Sequence, residues 1–442
     1  MSDLLGSTTT TGPAAVRDPA DPTASRDPDG PAAPPGTHVL AWLAEHSADP
    51  GMAGCGTSHR SVPAEEAVAR VWPLRGRLGI SRIADLTPLD VLGIPVFNVT
   101  RPGARAGQIT QCQGKGNVRT EALASALFEA LERHCGSLAR PTLTARPGEL
   151  DDAGLTRLSA ADLGLRTLPD QPMEWIRGTD TRDGTPVLLP AAEVLFPYDT
   201  PPGCVRPVRP STTGLASGAT FAEAVLHALY EVVERDATSR YLHGGPGRLV
   251  SLETVTGPAE AELLHKYARA EVDTVIIDLT HTTVLPTFAV FLSDPNAAQA
   301  HLSVSGFGTH PNAGVALRRA LTEAAQARAT AIQGSREDLD RVVDVYRADP
   351  ARQRAAFLKR ALAARVEGVT DFRELPHPPP RSTRATLRHV AARLEEGGWS
   401  RVVCTDLTVA EFGLPVAHVA VPGMVDSVVE PGRSHRVAHR HS

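Results

Sequence analysis

Two stretches of this chain carry the same eight-residue pattern, and that pattern restricts the fold more than any other feature. Residues 126–133 read Ala-Leu-Phe-Glu-Ala-Leu-Glu-Arg, and residues 228–235 read Ala-Leu-Tyr-Glu-Val-Val-Glu-Arg. Both lie in runs of helical periodicity without Pro or Gly, which predict helices over residues 120–134 and 221–240. The i, i+3 spacing puts Glu129 and Glu132 on one face, and does the same for Glu231 and Glu234. Glu223 lies only about 80° away from Glu231 around its helix by the 3.6-residue period. The residues between the carboxylates are apolar nearly all round, as in helices that are buried. Solvated Glu–Arg pairs at i, i+4, Glu129–Arg133 and Glu231–Arg235, are the plain alternative. Burial and duplication count against it, because a buried carboxylate must be paired or bind a metal.

Hard oxygen ligands in this number suit Mg²⁺ bridged to phosphates. A di-iron carboxylate bundle would want Glu-x-x-His on two helices, and neither copy supplies it. Glycine-rich segments precede both helices. Gly114-Lys115-Gly116 reads as a flexible loop carrying a lysine, and residues 214–218 (GLASG) read as a small-residue loop. A loop that opens a helix offers N–H groups to an anion. A P-loop is absent, because Gly116 stands where Ser or Thr would follow the lysine. A third predicted helix, residues 315–332, carries Arg319, Glu323 and Gln326; an ordinary surface pair is the competing reading there. No G-x-S-x-G, H-E-x-x-H or helix-opening G-x-G-x-x-G occurs. His134 and His227 lie on the Glu-pair helices and receive no role.

The remaining elements read as follows. Helices are expected at residues 38–46, 64–70 and 383–395, and strands at 94–99, 272–278, 288–292 and 401–404. A hairpin is expected over 175–189, and residues 376–380 (PHPPP) form a loop. Strands alternating with long helices argue an α/β, or mixed α+β, fold built as one large domain. Residues 1–37 hold seven Pro and five Asp without apolar periodicity, and read as a disordered tail. Residues 38–59 are an N-terminal helix and linker, 60–425 the domain, and 426–442 a frayed C-terminal tail.

Composition excludes several classes. The net charge of −5 over 442 residues disfavours a nucleic-acid binder that works by phosphate neutralisation. No apolar run approaches a membrane span, and no signal layout opens the chain. The five scattered cysteines never form C-x-x-C, so reduced thiols in a cytoplasmic protein are expected.

Taken in order, Gly114-Lys115-Gly116, the first E-x-x-E-R, the GLASG segment with the second E-x-x-E-R-D, and Arg-Ala-Leu-Thr-Glu-Ala at 319–324 resemble the YcaO family. The resemblance spans residues 60 to 423. Residues 79–95 (GISRIADLTPLDVLGIP), 334–338 (GSRED) and 406–408 (DLT) resemble the branch encoded beside TfuA proteins.

The resemblance implies an ATP-binding α/β domain with a non-P-loop nucleotide site, in which glutamates hold Mg²⁺ on the triphosphate. ATP and Mg²⁺ are the implied cofactors. Such enzymes phosphorylate a backbone amide oxygen of a ribosomally made precursor peptide. Carried over by motif, Lys115, Ser125, Glu129, Glu132, Glu223, Glu231, Glu234, Arg235, Arg319 and Glu323 line the site, with Glu129, Glu132, Glu231 and Glu234 on the metal. External sulfide as nucleophile gives a thioamide, with a TfuA-like partner. A neighbouring side chain gives an azoline and an amine gives an amidine, and a non-catalytic precursor-binding scaffold is the reading from another class. A homodimer is compatible with the resemblance. Three features depart from the family: Ala219 replaces the Asn of G-x-A-x-G-N-T, residues 422–425 read Pro-Gly-Met-Val where the branch has P-G-L-E, and the Pro-rich P-x-P-x-P tail of azoline formers is missing.

Overall fold

A computed structural model of the chain describes residues 38–47, 59–280, 283–294, 302–336, 357 and 366–428. The expected disordered tail at 1–37 lies outside these residues, as do most of the linker and everything after Val428.

Three antiparallel-rich sheets make up the domain. The first contains β1 (Arg82–Asp85), β2 (Val96–Thr100) and β3 (Gln111–Lys115), in that order. The second is six-stranded, with β4 (Leu143–Ala145), β5 (Met173–Asp180), β6 (Pro186–Pro190), β7 (Leu215–Ser217), β13 (Val403–Asp406) and β14 (Val416–Ala420); its path runs β4-β5-β13-β14-β7, and β6 pairs with β5. The third runs β11-β10-β9-β8-β12, where β8 is Gly247–Val250, β9 Asp273–Asp278, β10 Thr287–Ser293, β11 Val304–Thr309 and β12 Val366–Thr370. The helices are α1 (Ala41–His46), α2 (Ala64–Val71), α3 (Arg119–Leu138), α4 (Pro147–Asp152), α5 (Ala191–Val194), α6 (Phe221–Leu242), α7 (Pro258–Arg269), α8 (Ala313–Gln333) and α9 (Thr383–Glu396). The fold is the mixed α/β domain expected, and the hairpin over 175–189 is the antiparallel β5–β6 pair.

The three sheets share one device. Each ends in an edge strand, β3, β7 or β11, and after three connecting residues a long helix starts: α3, α6 or α8. Each helix lies on its own strand and reaches the edge strand of another sheet: α3 touches β7, α6 touches β11, and α8 touches β3. The contacts close a ring. Glycine makes them possible. A Cβ at Gly114 would strike the backbone of Ala122 and Ala126, and one at Gly306 or Gly308 would strike the backbone of α8. Strand and helix backbones therefore meet with no side chain between them.

This arrangement corrects two expectations. Gly114 and Lys115 are not a flexible loop but the end of strand β3, and Leu215–Ser217 of the GLASG segment form strand β7. Their small residues serve close packing, which local sequence cannot distinguish from a turn. At the other end, Asp426 and Ser427 are buried, so packing continues past Val425, where the tail was expected to begin.

α6 is the most enclosed of the three helices. Fifteen of its 22 residues are buried. Its N-cap Thr220 accepts a hydrogen bond from the Glu223 N–H, so the helix starts where a capping hydroxyl fixes it.

Candidate active site

The ring brings five carboxylates together at its centre. Glu129 and Glu132 project from α3, Glu231 and Glu234 from α6, and Glu323 from α8. Glu323 had no partner motif in sequence, yet residues 320–327 (ALTEAAQA) occupy the position in α8 that the two eight-residue repeats occupy in α3 and α6. The domain therefore holds a third, degenerate copy, with Gln326 where the others have their second glutamate.

The strand amides explain how these groups are held. The Gln113 N–H of β3 donates to Glu129 at 2.8 Å, and the Phe307 N–H of β11 donates to Glu323 at 3.3 Å. The two bonds are equivalent, each from an edge strand to its own helix. The matching amide in β7, Leu215, donates instead to the Thr212 carbonyl at 3.0 Å. Glu231 therefore lacks that anchor and faces Arg235 at 3.7 Å. Glu129 also accepts from Arg133 at 2.8 Å. The i, i+4 pairs expected from sequence are present, but they border the cluster and are not a solvated surface.

Cations surround the carboxylates. Lys115 reaches from β3 to pair with Glu323 across the ring. Arg319 does not pair on the surface as the alternative reading required; it is buried with the cluster and donates to His227 Nδ1 at 3.2 Å. Burial pushes the carboxyls of Glu132, Glu231 and Glu234 upward. Glu132 rises further because Glu231 and Glu129 are close. Glu231 stands at about 7, raised by burial and by Glu234 and Glu323 against the opposing pull of Arg235. For Glu323 burial acts in the same direction, but Lys115, Arg235 and Arg319 outweigh it and hold it below its ordinary value. In the neighbouring Glu234–Glu323 pair, Glu323 thus keeps the charge and Glu234 holds its proton more tightly.

These residues fit a cation and a polyphosphate. Glu234 is 3% exposed, and one of its oxygens has no hydrogen-bond partner; the Arg319 Nε is likewise buried without one. The cluster thus holds a buried acceptor and a buried donor without partners, which a cation and an anion together would satisfy. Among the described residues no three His, Cys, Asp or Glu side chains stand close enough to hold a metal by themselves. Mg²⁺ commonly takes one or two carboxylates and completes its shell with phosphates and water.

A cleft opens beside the cluster and shares Arg319 with it. Its lining includes Arg60, Ser61, Glu223, His227, Tyr230 and His310. Glu223 accepts from Arg60 at 3.2 Å, from the Ser61 N–H at 3.3 Å and from the Ser61 hydroxyl. Glu223 thus belongs to the cleft and not to the five-carboxylate cluster. Ser125 is half-buried one turn before Glu129. Sequence reasoning missed Arg60, Ser61, Tyr230 and His310 and left His227 without a role. They come from distant segments with no shared motif. Burial and the positive charges of Arg60 and Arg319 hold His227 well below its ordinary value, so the ring is neutral and acts as an acceptor.

Comparison with known proteins follows the same residues. The family model described as "YcaO cyclodehydratase, ATP-ad Mg2+-binding" matches residues 113–425. An uncharacterised protein of Methanothermobacter thermautotrophicus is 37% identical over 80% of this chain and 92% of its own length. A Rhizobium leguminosarum bv. trifolii protein, described as an uncharacterised protein in the tfuA 3' region, is 33% identical over 84% of this chain and 88% of its own. The structure of YcaO from Methanopyrus kandleri bound with AMPPCP and Mg²⁺ superimposes with a TM-score of 0.67 at 24% identity, covering 87% of this chain and 98% of that one.

Proposed function

The chain belongs to the YcaO family, and from that premise we propose that it uses ATP and Mg²⁺ to activate backbone amides of a ribosomally made precursor peptide, giving thioamides with a TfuA-like partner. The observation that carries the proposal is the five-carboxylate cluster with an unpaired Glu234 oxygen and an unpaired Arg319 nitrogen in it.

Bound ATP with Mg²⁺ supplies a phosphoryl group that converts the amide oxygen into a leaving group. The chain's residues do the rest by position and charge. Glu132 and Glu234 would present oxygen atoms to the cation with Glu231 beside them, and Glu129, fixed by Gln113 and Arg133, holds α3 on β3 behind them. Lys115, Arg235 and Arg319 carry the positive charge that faces the phosphates. Glu223, with Arg60 and Ser61, lies in the adjoining cleft and takes the nucleoside end. No nucleophilic side chain of this protein is needed, in keeping with the absence of a triad motif.

The thioamide product is supported by the segments at 79–95 and 334–338 and by the likeness to a protein from a tfuA region. Among the described residues no helix is long and apolar enough to cross a membrane, and the proposed reaction takes place in the cytoplasm.

Mass spectrometry tests the product. With precursor peptide, MgATP, a sulfide source and a TfuA-like protein, each event should add about 16 Da as oxygen becomes sulfur, because proximity selects the nucleophile once the carbon is activated. Loss of about 18 Da that persists without sulfide would replace the thioamide reading by azoline formation, by the same activation logic.

A further inference from the structure

Each of the three helix copies has a polar residue one turn ahead of its first glutamate: Ser125 before Glu129, His227 before Glu231 and Arg319 before Glu323. Two of these equivalent positions meet. Arg319 reaches from α8 to α6 and donates from Nη1 to His227 Nδ1 at 3.2 Å. With Nδ1 accepting, the ring proton sits on Nε2, so this one contact fixes the tautomer. Arg60, Arg319, Lys115 and His310 all oppose a positive charge on the ring. The carboxylates one turn to either side of His227 on α6 are engaged elsewhere, Glu223 with Arg60 and Ser61, Glu231 with Arg235.

Arg319 differs from the other cations around the site. Lys115 pairs with Glu323, Arg133 with Glu129, Arg235 with Glu231 and Arg60 with Glu223. Arg319 forms no ion pair among the described residues, and its buried Nε has no partner. A buried guanidinium without a carboxylate is costly. Burial, with Arg60 near, lowers its pKa more than Glu234 and Glu323 raise it. A carboxylate in the place of His227 would hold Arg319 more firmly but would cancel its charge. An uncharged imidazole orients the planar fork and leaves the charge whole for an anion.

We propose that His227 positions Arg319 for the polyphosphate: its uncharged Nδ1 fixes one edge of the guanidinium, and the charge and the unpaired Nε of Arg319 remain for the anion. This rests on the activity proposed above. His227 acts through Arg319 and is a positioning residue.

Calorimetric titration of MgATP into the full chain provides the test. His227→Leu removes the acceptor and should raise the dissociation constant about tenfold, as loss of a hydrogen bond to a charged group does. His227→Asn puts an amide oxygen near the place of Nδ1 and should bring the constant back to within about threefold of wild type. His227→Asp offers Arg319 a stronger partner but cancels its charge, and should weaken MgATP at least as much as His227→Leu. Adding His227→Leu to Arg319→Ala should change nothing further, because residues that act as one unit are not additive. Unchanged affinity in His227→Leu overturns the assignment, as does wild-type affinity in His227→Asp, which a purely structural contact would allow. Additive losses in the double variant overturn it too, since His227 would then act without Arg319. If His227→Leu does not fold, His227→Asp and His227→Asn decide instead, and equal affinities in those two overturn the assignment. If wild type binds no MgATP, it is the proposed activity that falls, and this assignment falls with it.

Discussion

α3 and α6 carry one motif and hold it in opposite ways. In α3, Glu129 is tied to its own edge strand by the Gln113 N–H and to Arg133, both at 2.8 Å. In α6, the strand amide that would tie Glu231 turns back to Thr212, and Arg235 stands at 3.7 Å. The second carboxylates differ too. Glu132 receives a hydrogen bond from the Ser217 main chain, whereas one Glu234 oxygen has no partner. α8 sides with α3, through Phe307 and Lys115 on Glu323. Repetition of a motif thus leads to division of labour. A strand amide braces the first carboxylate of two copies, and on the most enclosed helix that carboxylate has no such brace.

The largest expected effect separates these jobs directly. Glu234→Gln should lower ATP turnover at least about 100-fold, as loss of one preorganised electrostatic group does. Its melting temperature should stay near wild type, because an amide of the same size replaces a buried carboxyl with one unpaired oxygen. Glu132→Gln should behave similarly. Glu129→Gln should instead destabilise the fold by about 1–3 kcal/mol, through loss of a charge-assisted bond. Turnover assays and thermal melts on the three variants check this. Equal effects on turnover and stability in Glu129→Gln and Glu234→Gln would erase the distinction between brace and ligand.

Next in size is the response to ligand. MgATP at 100 times its dissociation constant should stabilise the protein by about 2.7 kcal/mol, since it binds only the folded state. For a domain this large that is a rise of about 3 °C. The rise should vanish in Glu234→Gln and survive in Glu129→Gln. An unchanged melt in wild type, beside a responsive control protein, would remove the basis for the active-enzyme reading.

The pH dependence of the metal-free protein sharpens the same contrast. Glu231 binds its proton more tightly when folded, at about 7 against an ordinary 4.5. A raised acid favours the folded state at low pH, so this contribution is lost as pH rises from about 4.5 to 7. The full shift corresponds to about 3 kcal/mol, and the partial exposure of the side chain reduces it to roughly 1–3. Glu132 and Glu234 act in the same direction. Urea midpoints measured in EDTA from pH 5 to 8 should fall with pH in wild type and flatten in Glu231→Gln, while Glu129→Gln keeps the slope. A slope unchanged by Glu231→Gln would mean that its carboxyl is as solvated as an ordinary one.

Much of this was readable from residues alone. The long helices α3, α6 and α8 have uninterrupted periodicity, and burial of the glutamates followed from the apolar residues around them. The edge strands were less legible. Gln111–Lys115 and Leu215–Ser217 are short, and residues 114–116 and 214–218 at their ends read as loops because their glycines and small residues let backbones touch. The third copy was hidden by Gln326 and by the loss of its Arg, although Glu323 itself was found. Arg60, Ser61, Tyr230 and His310 could not be gathered from sequence, since only the tertiary fold brings segments near residues 60, 230 and 310 to one cleft.

The smallest effect concerns the turn that opens each helix. Asn117 precedes α3 where Ala219 precedes α6, each directly after a glycine packed on the helix backbone. The residue next to the braced copy is thus polar, and the one next to the open copy is alanine. The Ala219 carbonyl accepts from Arg70 at 3.3 Å, so the main chain here is held and a larger side chain need not disturb it. Ala219→Asn, at a half-buried position, should therefore leave the stability within about 0.5 kcal/mol of wild type. If the position borders the nucleotide, one new hydrogen bond worth about 0.5–1.5 kcal/mol should lower the half-saturating MgATP concentration roughly two- to tenfold. Asn117→Ala, the reverse change before α3, should not alter it. Thermal-shift titrations of both variants decide the matter: an unchanged half-saturation in Ala219→Asn, or a change shared by Asn117→Ala, would show that the turn before α6 plays no part in nucleotide binding.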